Sequence, residues 1–142
     1  METKYRTLLI AADGSDNTLR AARDAVKMAS VTKGSEVTII YVIDHKEAES
    51  EEIHHGSSPE FEMARQQKIQ PIIDLLEQEK IYHKVEMIYG IPSHVISEYA
   101  NDRNFDIVIM GKRGLNPMQE MVLGSVSRSV LNKVDAPMLI VK

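Results

Sequence analysis

The chain has 142 residues, 43% hydrophobic and 27% charged, with a net charge of −4 at neutral pH and no cysteine. That fits one globular domain over 1–142 with a core of its own, and it excludes disulfide frameworks, thiol chemistry and thiolate metal sites. Acidic charge, no tryptophan and only two phenylalanines argue against nucleic-acid partners; no apolar run nears the roughly 20 residues of a membrane span, and with no secretory leader legible, the cytoplasm is the expectation.

Residues 5–12, YRTLLIAA, have a continuous apolar centre that stops at Asp13-Gly14-Ser15, which predicts a buried strand and a turn. Ser15 or Asp16 suits the cap of a helix over 17–30, whose Leu19, Ala22, Val26 and Ala29 recur at helical spacing. Residues 37–43, VTIIYVI, read as a second buried strand. The polar stretch 44–59 reads as a surface loop; its His45, His54 and His55 lack the spacing of a metal site. A long helix is predicted over 60–80, kinked or restarted at Pro71. Residues 84–89, KVEMIY, alternate like a strand near an edge, and Pro92 suits the first turn of a helix reaching about Asp102. A fourth buried strand, 106–110, leads into a glycine-rich segment; a helix then runs from Gly124 or Ser125 to Lys133, and a last strand covers 138–142. Strands alternating with helices predict the α/β class, a doubly wound parallel sheet with helices on both faces.

Three of the chain's seven glycines, Gly111, Gly114 and Gly124, form the pattern Gly-x2-Gly-x9-Gly-Ser after the fourth strand. In such sheets ligands bind beyond the carboxyl ends of the strands, where strand order reverses. If strands one and four are neighbours, Asp13 and the glycine segment share one crevice. Gly111 and Gly114 permit positive φ and close backbone approach. Gly124-Ser125 at a helix start aims N–H groups and the positive dipole end at an anion. Ser125 and Ser127 add hydroxyls, Lys112 and Arg113 add positive charge, and Asp13 suits a ribose hydroxyl or a cation. Val42, near the end of strand two, suits an apolar wall for a flat base. The pattern is neither a Walker loop, which needs lysine before the hydroxyl residue, nor the Rossmann Gly-x-Gly-x-x-Gly. Strand three ends MIYG, without the aspartate of a phosphate receiver.

The segments LLIAADGSDNTLRAARDAVKMA, VTIIYVID, YGIP, FDIVIMGKRG and VLGSVSRSVLNKVDAPMLIVK, with the full glycine spacing, resemble the universal stress protein family, in its ATP-binding subgroup. The resemblance implies a Rossmann-like five-stranded parallel sheet in the order 3-2-1-4-5, with ATP bound between strands one and four together with Mg2+ or Mn2+. It implies that Ala11, Ala12 and Asp13 flank the adenosine, with Asp13 near ribose or metal, and that Val42 contacts adenine. It further implies that Met110, Gly111, Arg113, Gly114, Gly124, Ser125, Val126 and Ser127 hold ribose and phosphates. Lys112, where relatives often carry a small polar residue, either strengthens phosphate binding or faces solvent. Ala12 lacks a hydroxyl found in some relatives. A two-fold homodimer through Met138, Leu139, Ile140 and Val141 is implied. The expected function is a nucleotide-gated regulatory or protective protein of the stress response with at most slow ATP hydrolysis and no assigned catalytic residue. The alternatives are a nucleotide-free dimeric scaffold and a true ATPase or nucleotidyl-transfer enzyme.

Overall fold

The computed structural model describes residues 5–13, 16–44, 59–112 and 123–142. Among them, strands β1 (Thr7–Ala12), β2 (Glu36–Ile43), β3 (Tyr82–Tyr89), β4 (Ile107–Gly111) and β5 (Met138–Val141) alternate with helices α1 (Asp16–Ser30), α2 (Pro59–Gln78), α3 (Pro92–Arg103) and α4 (Ser125–Lys133). The strands form one sheet in the order β3-β2-β1-β4-β5, parallel at every pairing. The order reverses between β1 and β4, whose register aligns Leu8 with Ile107 and Ile10 with Ile109.

The period-two alternation of strand side chains separates two hydrophobic layers. Leu8, Ile10, Val37, Ile39, Ile107 and Ile109 enter the layer shared with α1 and α2. Leu9, Ala11, Ile40, Val108 and Met110 enter the layer shared with α3 and α4. The central strands are apolar on both faces because helices cover both, which is why they read as unbroken hydrophobic runs. The buried positions of α1 include Ala21, Ala22, Ala25 and Ala29. Such small side chains let a helix lie close to its sheet. No helix among the described residues is long and apolar enough to cross a membrane.

One element departs from the sequence expectation, and a second resolves an alternative. β3 begins at Tyr82 rather than Lys84, because Tyr82 and His83 pair with Glu36 and Val37 of β2. The backbone ladder extends the strand past its alternating pattern, with Tyr82 left largely exposed. No new helix starts at Pro71: α2 is one element with Pro71 inside it. Pro71 and Gln67 are both exposed, so the carbonyl deprived of its helical donor is within reach of water.

The turn from β3 into α3 requires a glycine. Gly90 has φ of +151°, and a Cβ there would stand 2.6 Å from Val95 Cγ2. At the opposite, amino-terminal edge of the sheet, Asp106 ties β4 to β1. Its Oδ2 accepts the N–H groups of Arg6 and Thr7, both at 2.9 Å, while its own N–H donates to the Thr7 carbonyl and hydroxyl oxygens. Burial pushes the Asp106 carboxyl up, but the Thr7 and Arg6 donors and the Arg6 charge outweigh it and hold it below its ordinary value. A carboxyl so lowered contributes stability that is present above its unfolded-state pKa and lost as pH falls through the folded one. We therefore expect Asp106→Asn to cost about 1 kcal/mol at neutral pH, since solvent reaches this site. In urea titrations the gap between wild type and variant should close in acid below the carboxylate range.

Candidate functional site

β1 runs out at Ala12 and is followed by Asp13; β4 runs out at Gly111 and is followed by Lys112. The adjacency of β1 and β4 brings these two chain ends side by side, and each leads toward the amino end of a helix. The Asp13 carboxylate accepts the Thr18 hydroxyl proton at Oδ1, 2.6 Å away, and the Asp13 N–H donates to the same Thr18 oxygen at 3.2 Å. Thr18 is the third residue of α1 and only 3% exposed.

Gly111 is required by proximity rather than by a left-handed turn. Among the described glycines, positive φ occurs at Gly34 and Gly90. A Cβ on Gly111 would instead stand 2.7 Å from the Asn17 Cβ and 3.2 Å from the Asn17 carbonyl carbon. The end of β4 therefore lies directly against the first turn of α1.

Two hydrogen bonds seat α4 on this frame and a third joins the frame to β5. The Ser127 hydroxyl donates to the Gly111 carbonyl at 2.8 Å, the Gly124 N–H donates to the Lys112 carbonyl at 2.8 Å, and the Lys112 N–H donates to the Val141 carbonyl of β5 at 2.7 Å. Ser127 is buried, and its hydroxyl braces the end of β4. Gly124 precedes α4 with φ of −60° and ψ of 153°, and no side chain caps the helix. The first-turn N–H groups of a helix have no intrahelical partner; together with the helix dipole they form an anion-attracting end.

The remaining expected residues fall into two groups. Ala11, Ala12 and Met110 are almost fully buried, which leaves their side chains little reach beyond the sheet. Val42, Gly111, Lys112, Gly124 and Val126 are half-buried and Ser125 is exposed. Val42 packs against the same apolar layer as Ala11 and Met110, so these three share one side of the sheet. Arg113, Gly114 and the three loop histidines lie outside the described residues. Sequence reasoning missed Thr18. The available signal was a hydroxyl five residues after a carboxylate that closes a strand, at the start of the next helix.

A family model described as the universal stress protein family matches residues 4–142. The chain belongs to the universal stress protein family. Universal stress protein MJ0577 of Methanocaldococcus jannaschii is 31% identical, over 100% of this chain and 98% of its own. Its solved structure superposes with a TM-score of 0.86, at 29% identity, covering 99% of this chain and 97% of that one. A universal stress protein of Archaeoglobus fulgidus, solved in complex with dAMP, shares the fold with a TM-score of 0.72 at 17% identity, over 99% of this chain and all of that one.

In this universal stress protein, Gly111→Ala tests the close approach. The added methyl must push β4 from α1, so we expect a loss of about 1–3 kcal/mol in chemical denaturation although the backbone angles suit alanine.

Proposed function

We propose that this chain is a cytoplasmic ATP-binding universal stress protein, a regulatory or protective dimer gated by the nucleotide, with at most slow hydrolysis. The observation that carries this reading is the uncapped amino end of α4, joined through Gly124 N–H to Lys112 at the tip of β4, where strand order reverses.

Each part of an adenine nucleotide has a counterpart there. The phosphates suit the first-turn N–H groups of Ser125, Val126 and Ser127, the Ser125 hydroxyl and the Lys112 charge, with Arg113 and Gly114 completing the glycine segment. The ribose or a divalent cation suits Asp13, since Mg2+ commonly takes one or two carboxylates plus substrate phosphates. The base suits the apolar side formed by Val42 with Ala11 and Met110. Gating would act on the stretch from Gly111 to Gly124, whose described ends are already pinned together at Lys112 and Gly124. The buried hydroxyls of the two first turns brace this frame: Thr18 at Asp13 and Ser127 at Gly111. The dAMP of the Archaeoglobus fulgidus neighbour marks adenine nucleotides as the class to test first.

The test is to denature purified protein, identify released nucleotide by mass spectrometry, and titrate stripped protein with ATP and Mg2+ by calorimetry. ATP should be released from and rebound by the native protein but not by Gly124→Val, whose φ of −60° tolerates valine while the side chain crowds the phosphate position. A native protein that releases no nucleotide and gives no heat with ATP would sink this reading in favour of the scaffold.

The dimer would form through β5, an edge strand of four half-buried residues. Pro137 and Val141 present their carbonyls to β4, so the intervening Met138 and Ile140 direct their backbone groups outward. Ile140→Pro deletes one outward N–H while keeping these β4 bonds, and it should sediment as a monomer. A variant that sediments as a dimer would place the interface elsewhere.

A further inference from the structure

We infer that Thr18 is a positioning residue for the nucleotide site: it fixes the direction of the Asp13 carboxylate toward the ribose or the nucleotide-bound cation. This rests on the nucleotide-binding reading above. Asp13 lies between the end of β1 and the start of α1, and an aspartate in such a connection ordinarily turns about two side-chain bonds. Here one hydroxyl holds Asp13 at both its backbone N–H and its carboxylate. It accepts the Asp13 N–H at 3.2 Å and donates to Asp13 Oδ1 at 2.6 Å, a length typical of a hydroxyl-to-carboxylate bond. With Oδ1 held, the planarity of the carboxylate determines where Oδ2 lies.

The hydroxyl is itself well anchored. Thr18 is 3% exposed, and its branched Cβ restricts its rotamer within the helix. The preceding residue, Asn17, is the one against which Gly111 of β4 packs. Residues 17 and 18 thus tie the Asp13 carboxylate to the same helical turn that locates the end of β4. α1 is then a common reference for the carboxylate and for the phosphate-facing backbone. Serine preserves the donor and acceptor; valine preserves the shape and removes both.

The test is calorimetric titration of ATP with Mg2+ into wild type, Thr18→Val, Thr18→Ser, Asp13→Ala and the Thr18→Val/Asp13→Ala pair, each checked for an intact thermal transition. Removing an orienting partner of a ligating group typically weakens binding by about 10-fold or more. That loss is expected for Thr18→Val, with Thr18→Ser within about 3-fold of wild type, since it restores both bonds. In the Asp13→Ala background the Thr18→Val change should have no further effect, because the group it orients is gone. Unchanged affinity in Thr18→Val, or the same fold loss with and without Asp13, overturns the positioning role. If Thr18→Val does not fold, comparing Thr18→Ser with Thr18→Ala in both backgrounds carries the same cycle. A wild-type protein that gives no heat with ATP defeats the nucleotide reading itself, and that curve is read before any variant.

Discussion

The end of β4 approaches the first turn of α1 so closely that a Cβ on Gly111 would overlap the Asn17 side chain and crowd its backbone. Much of the site's geometry depends on this contact. With Gly111 seated there, its carbonyl receives the Ser127 hydroxyl, and the next carbonyl, of Lys112, receives the Gly124 N–H. Two bonds from adjacent residues of one strand end thereby determine where α4 begins. The Lys112 N–H reaches Val141 of β5, so the same dipeptide also joins the edge strand to the crevice.

The two ends of the sheet show opposite chemistry for a physical reason. At the amino end, Asp106 satisfies the N–H groups of Arg6 and Thr7 and is held ionised by them; polar groups there are consumed by one another. At the carboxyl end, α4 starts with Gly124 and no side-chain cap. Helices following parallel strands all present their amino ends at this side, where strand-order reversal opens a gap between neighbouring connections.

Buried hydroxyls link these two themes. Thr18 and Ser127 sit in the first turns of α1 and α4, each nearly inaccessible and each bonded to a strand end: Asp13 after β1 and Gly111 of β4. Both convert a helix-to-sheet packing contact into a directional one. A purely apolar contact would leave the helix free to slide along its strand by fractions of an ångström. A hydroxyl bonded to one named oxygen does not.

The amino-acid sequence by itself determined the alternation of strands and helices, the apolar strands buried on both faces, and the glycine pattern after β4. These are local and periodic: hydrophobic period, β-branched runs, and glycine or proline where the chain turns. The start of β3 was not legible, because it depends on pairing with β2. The candidate site was legible as a set of residues, Asp13, Gly111, Lys112, Gly124 and Ser125, but not as a division of labour. Gly111 serves packing rather than a left-handed turn, and the Ser127 hydroxyl braces a strand end. Thr18 passed unnoticed among helical positions. Each of these roles rests on a partner distant in sequence or on burial by another element, and only the tertiary structure decides which oxygen a hydroxyl can reach.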